Sequence, residues 1–237
     1  MRKNFKVYKF VYIFFIVFFI AYKVYLIFFS KMIKINFWRE LPIGLSSIAA
    51  ILSYHGAKAK NENISAFVFY VGSFTSLMGL ILPAQSFVGI PLFSIETIGY
   101  YGLYGLALVI GVTMFTFGFY EPKYKDVPIA LLWIGAFSLL IHLINILFRV
   151  FILPDANYLY TYSPENNPLL NLLWSYIPHE LFYLLPLLLV AAVVFYLATL
   201  IIRIFKKKDV EETEHLDVKV PDANETKEEE NPEQTNV

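Results

Sequence analysis

The sequence predicts an all-α polytopic transmembrane bundle of about six spans, followed by a disordered cytoplasmic C-terminal tail, and three observations carry this. The 237-residue chain is 58% hydrophobic with a mean hydropathy of +0.59, above the roughly 45–50% apolar content of soluble domains. Its apolar residues fall into separate blocks of about 20, and 20 residues rising 1.5 Å each cross a hydrocarbon core of roughly 30 Å. The composition changes at Lys206: from there to Val237 eleven acidic residues stand against five basic ones, with few large apolar side chains. Such a segment cannot bury enough surface to fold. The division is therefore a membrane domain over 1–205 and an acidic tail over 206–237, solubilising in the first reading and docking a cytoplasmic partner in the second.

The first span is predicted at about Phe10–Phe29, behind Arg2, Lys3, Lys6 and Lys9. The flank is like that of a signal peptide, but the apolar run is too long and bulky side chains stand where a cleavage site needs small ones, so it is expected to remain as an anchor. Lys23 is expected to snorkel to the nearby interface. Further spans are predicted at Phe37–Tyr54, Ser65–Leu82, Thr97–Phe119, Pro128–Leu153 and Ile177–Phe205. Gly72, Ser76 and Gly79 in the third, with Gly102 and Gly105 in the fourth, have the spacing of close helix packing. Ser86–Ser94 is apolar but too short to cross, and is a candidate re-entrant segment. Pro154–Ser175 is long for a connector and is expected to cap the bundle.

Six spans place both ends on one side. The N-terminus, Lys58, Lys60, Lys123, Lys125, Arg203 and Lys206–Lys208 share that side, so the positive-inside rule makes it the cytoplasm and the cell membrane the location. The net charge of zero averages a basic body with an acidic tail and leaves no nucleic-acid footprint. With no cysteine there is no disulfide, thiolate nucleophile or thiolate metal site. The four histidines are too scattered for a metal cage, no nucleotide-binding or hydrolase motif is present, and neither metal nor cofactor is expected.

Polar groups inside spans need a reason, since an ionisable one costs roughly 2.5–3.5 kcal/mol or more at the bilayer centre. In the fifth span Ser138, His142, Asn145 and Arg149 recur at 4, 3 and 4 residues, one stripe of a helix that should face the bundle interior. Arg39, Pro42, Ser46 and Ser53 form a second stripe with Glu40 beside it. Arg39, Glu40, Ser46, Tyr104, His142, Asn145, Arg149 and Asn157 are accordingly the candidate ligand-binding residues, drawn largely from the outer half. The structural alternative has Arg149 paired with Glu40 or Glu180, and His142 and Asn145 as interhelical hydrogen-bond glue.

Several segments together resemble the YwaF-like family of bacterial integral membrane proteins, whose eukaryotic relatives are regarded as lipid acyltransferases. They are Arg39–Ser46 (RELPIGLS), Gly72–Pro83, Leu143–Asn145 (LIN), Asn157–Tyr160 (NYLY), Pro164, Leu169–Leu170 and Trp174 to Pro178, in the family's order. The resemblance places the family's cysteine on Ser46, its neighbouring histidine on Gly44 and the fourth-helix histidine near Tyr104. The suspected catalytic pair is therefore absent. What remains is a cavity open to the outer leaflet that binds a membrane lipid or small amphiphile. The alternatives are a lipid acyltransferase using Ser46 with His142 as base, which makes these two the catalytic candidates, and a small-solute permease component. The permease lacks a recognisable inverted repeat.

Overall fold

The computed structural model describes residues 2–30, 32, 37–83, 87, 89–165 and 167–217, with side chains between Asn4 and Lys206 among them. Helix α1 spans Arg2–Phe28, α2 Leu45–Ala59, α3 Glu62–Ile81, α4 Ile95–Thr116, α5 Asp126–Phe151, α6 Pro168–Tyr176 and α7 Leu185–Asp217. Short 3-10 turns lie at Phe37–Glu40, Tyr158–Tyr160 and Phe182–Leu184. No strand occurs among the described residues. Five helical stretches are long and apolar enough to cross a membrane: Asn4–Phe28, Glu62–Ile81, Ile95–Thr116, Asp126–Phe151 and Phe182–Lys206.

The second predicted span differs from a continuous helix. Pro42 has no N–H to give a helix, and the chain breaks between Glu40 and Leu45, leaving a 3-10 turn and a 15-residue α2 that rises only roughly 22 Å at 1.5 Å per residue. Helix α2 nevertheless returns the chain toward the N-terminus, because Tyr54 stacks on Tyr12 at 5.2 Å and Tyr12 Oη donates to the Ile51 carbonyl at 3.3 Å. The two ends of the bundle can be followed by contact. At one end Phe5 meets Phe119 at 6.0 Å and Lys123 pairs with Glu62 at 2.8 Å. At the other Lys23 pairs with Glu40, Ser30 donates to Glu96 at 2.8 Å and Trp38 meets Phe148 at 5.9 Å.

Helix ends follow local chemistry. Asn61 caps α3 by accepting from Ile64 N, Ser94 caps α4 by accepting from Thr97 N, and Asn167 caps α6 ahead of Pro168. Residues 67–72 of α3 widen into a π turn that is buried throughout. There Gly72 lies where a Cβ would come 2.8 Å from Ala49 Cβ of α2. Gly79 leaves room for the Tyr104 ring and Gly102 for Phe18, whereas Gly105 has nothing near it and is not a packing site.

Two compact units make up the chain, Met1–Leu197 and Ala198–Val237. In the second, α7 continues to Asp217, so the change of composition at Lys206 is not a change of backbone, and residues 218–237 lie outside the described residues. Of the predicted re-entrant segment 86–94, residues 86 and 88 also lie outside them; the rest turns through hydrogen bonds from Ile90 N to Phe87 O and Ser94 N to Pro91 O. Within the Pro154–Ser175 segment the described residues include the turn at Tyr158–Tyr160 and most of α6, while residue 166 lies outside the described ones.

Candidate functional site

A cavity of about 900 Å³ occupies the end of the first unit where α1 finishes and α2 begins. Its deep wall is apolar, formed by Phe15, Phe74, Leu103, Ala107, Ile134 and Ala191 from five helices. Its rim is charged, formed by Lys23, Arg39, Glu40, Asp155 and Glu165. Between the two stand the hydroxyls of Ser46, Tyr100 and Tyr104.

The break at Pro42 makes the rim. The turn at Phe37–Glu40 folds over the helix ends, where Glu40 takes Lys23 as its ion-pair partner, with side chains 14% and 23% exposed, and Arg39 pairs with Asp155. Lys23 is thus paired across the rim, because the turn brings a carboxylate to it. Tyr158 donates to the Trp38 carbonyl and ties the same turn to the 153–163 loop. Burial pushes the Tyr158 hydroxyl up to about 12, Glu40 adding to the rise and Arg39 opposing it, and burial with Glu165 and Tyr104 nearby does the same for Tyr160. Both phenols stay neutral at physiological pH, and Tyr158 acts as a donor.

The loop that roofs the cavity is built by three of the predicted binding residues. Asn145, fully buried, donates Nδ2 to Tyr158 O at 2.9 Å and to Thr161 Oγ1 at 2.8 Å, and accepts from Tyr158 N at 2.8 Å. Arg149 donates to the Ala156 carbonyl at 3.2 Å and lies over the Tyr162 ring at 3.8 Å. His142 Nδ1 meets Thr161 Oγ1 at 3.3 Å, with Nε2 facing Glu180 at 3.8 Å. These grips hold Leu159 and Tyr160 at φ of 54° and 56°, left-handed conformations that cost on the order of 1–3 kcal/mol each and persist only where surrounding contacts over-determine them.

The structure therefore divides the sequence-predicted residues into two groups. Arg39, Glu40, Ser46, Tyr104 and Asn157 line the cavity, and Asn157 also shapes the loop by accepting from Tyr162 N at 2.9 Å and donating to Ser163 O at 2.7 Å. His142, Asn145 and Arg149 are not among the lining residues, although Ser138 of the same stripe is. The expected ion pair of Arg149 with Glu40 or Glu180 does not form: Glu40 belongs to Lys23, and the guanidinium serves a backbone carbonyl and a ring. Periodicity locates the inward face of α5 correctly but does not show that a loop from the next connection covers its outer third. Sequence reasoning missed Asp155, Glu165 and Tyr160 as lining residues; the unusual length of their connection was the available signal.

Chemically, the Tyr104 hydroxyl interacts with Ser46 and Tyr100, the Tyr100 and Tyr104 rings lie 4.8 Å apart, and Tyr100 Oη donates to Gly79 O at 3.0 Å. The histidine offered as a base for Ser46 turns instead toward Thr161 and Glu180. Among the described residues no group of three or more His, Cys, Asp or Glu side chains is placed to hold a metal.

No curated protein and no solved structure is significantly similar to the chain. A multi-pass helical chain with this cavity matches one family of membrane proteins over residues 1–204, nearly all of what the structure describes, and the protein belongs to the TMEM164 family.

Proposed function

We propose that this protein binds a membrane lipid or small amphiphile in the cavity, with the charged rim toward the outer face of the cell membrane, both termini in the cytoplasm, and no cysteine-type acyl transfer. The observation that carries the reading is the division of one cavity into a charged rim and an apolar interior. A solute that is polar throughout would leave the interior unsatisfied, whereas an amphiphile matches both parts. The resemblance of Arg39–Ser46 and Asn157–Tyr160 to YwaF-like proteins supports it, since both segments contribute to the cavity wall. The asymmetry of basic residues supports the orientation.

The test is photolabelling in vesicles with a phospholipid carrying a diazirine at the end of one acyl chain. Labelled peptides should contain deep-wall residues such as Leu103, Ala107 and Ala191. Label confined to outward-facing positions such as Leu132 and Leu189 would overturn the reading.

One observation favours a second reading, a lipid acyltransferase. The positions at which the resemblance places the family's cysteine and histidine, Ser46 and Tyr104, line the same cavity and their side chains interact there. A serine hydroxyl needs a base to become a nucleophile, and a phenol with an ordinary pKa near 10 is a poor one. Incubation with a labelled acyl-donor phospholipid is therefore expected to give neither covalent label nor transfer. Transfer that Ser46→Ala abolishes would establish the enzyme.

A further inference from the structure

The cavity wall reaches the molecular surface a second time, between α5 and α7, and this marks an opening there. These helices are tied at two levels: Tyr124, just ahead of α5, stacks on Tyr196 of α7 at 6.3 Å, and His142 of α5 faces Glu180, ahead of α7, at 3.8 Å. On α5, Trp133 and Phe137 form one flank and pack on Phe67 of α3 at 6.0 and 5.3 Å. Residues 135, 138 and 142 follow the i, i+3, i+7 spacing of a single flank on the other side, and His142 identifies the segment leading into α7 as its neighbour.

Between the two ties, Gly135 is both exposed and part of the cavity wall, and a Cβ built on it meets nothing within 4 Å. On the facing helix Leu185 has the same double character, lining the cavity while 51% exposed. Ile134, Ser138, Leu187 and Leu188 complete the two banks, none of them charged. Gly135 lies nine residues after the start of α5, roughly 14 Å along its axis, within the apolar span. The opening thus faces hydrocarbon, while the charged rim faces the end of the bundle.

We propose that this opening is a lateral window through which an acyl chain of the bound lipid passes between the bilayer and the cavity, while its headgroup stays at the charged rim. The inference rests on the lipid-binding reading above. A chain admitted through the rim would have to leave hydrocarbon, cross water and pass the Arg39–Asp155 and Lys23–Glu40 pairs, with each methylene exposed on the way at a cost in free energy. The window avoids that route, because the chain stays in apolar surroundings throughout.

The chain's lack of cysteine gives a clean test. Gly135→Cys and Leu132→Cys are purified in mild detergent, and exchange of retained phospholipid against deuterated phospholipid is followed by mass spectrometry before and after reaction with a pyrene maleimide. Leu132, 73% exposed and not part of the cavity wall, is the control on the same helix. Exchange should slow at least tenfold on modifying Gly135→Cys and stay unchanged on modifying Leu132→Cys. Gly135→Trp gives the same comparison without chemical modification, and an unchanged thermal midpoint in detergent shows that each variant is folded. Equal rates before and after modification at position 135 overturn the window while leaving lipid binding intact. Absence of retained phospholipid from both the wild type and the unmodified variant overturns the binding reading and the window together.

Discussion

Asn145 shows how one side chain in a membrane helix shapes a site that it does not line. Its amide spends both ends on Tyr158 and its remaining donor on Thr161, replacing the backbone partners that a non-helical loop lacks at that depth. Asn145→Ala leaves the part-buried Tyr158 N–H and C=O without these partners, at a cost of about 1–3 kcal/mol for the unmade hydrogen bonds. The expected result is a lower thermal midpoint in detergent, together with faster proteolysis within the 153–165 loop. An unchanged midpoint and an unchanged cleavage pattern would show that the loop is held by other contacts. Arg149 belongs to the same clasp. Its chemistry of a carbonyl and an aromatic face was not legible in the sequence, where an arginine in an apolar span implies a carboxylate; only the path of the loop supplies the carbonyl of Ala156.

At the scale of elements, the turn at Phe37–Glu40 and the loop around Tyr158 form the rim jointly. The Lys23–Glu40 pair is mostly shielded from solvent, so Lys23→Ala should destabilise the bundle by no more than about 3–5 kcal/mol, the range for stranding one member of a buried pair, reduced by the residual exposure. Lys23→Ala/Glu40→Ala should recover most of that loss in the same thermal assay, because the stranded charge is gone. A double variant as unstable as the single one would mean that Lys23 acts through packing on Phe19, whose ring lies 5.8 Å from its amine. Most helices were legible in the sequence from block length, while the caps at Asn61 and Ser94 set two helix starts earlier than the predicted Ser65 and Thr97. The break in the second span was visible only as Pro42. A proline early in an apolar run is equally compatible with an intact helix beginning there, so its consequence, a turn folded over the cavity, depended on tertiary partners.

At the scale of the whole molecule, hydrophobic patterning determines that the chain crosses the membrane repeatedly, and the contacts between helix ends determine which connections share a side. Single-cysteine labelling tests the orientation: Glu165→Cys should react with an impermeant maleimide added outside intact cells, and Lys60→Cys only after permeabilisation. The reverse pattern would invert the topology and place the rim at the cytoplasmic face. The cavity itself was legible only in outline, as polar residues gathered at one level; its apolar interior draws on residues such as Phe15, Ala107 and Ala191, which look in the sequence like any other core position. Native mass spectrometry of the wild type beside Ala107→Trp tests the central claim most directly, since Ala107 is buried in the cavity wall and a large ring there fills the space an acyl chain would take. The wild type should carry a phospholipid-sized adduct and the folded variant should lose it; an adduct of equal occupancy on both, or none on the wild type, would contradict the account.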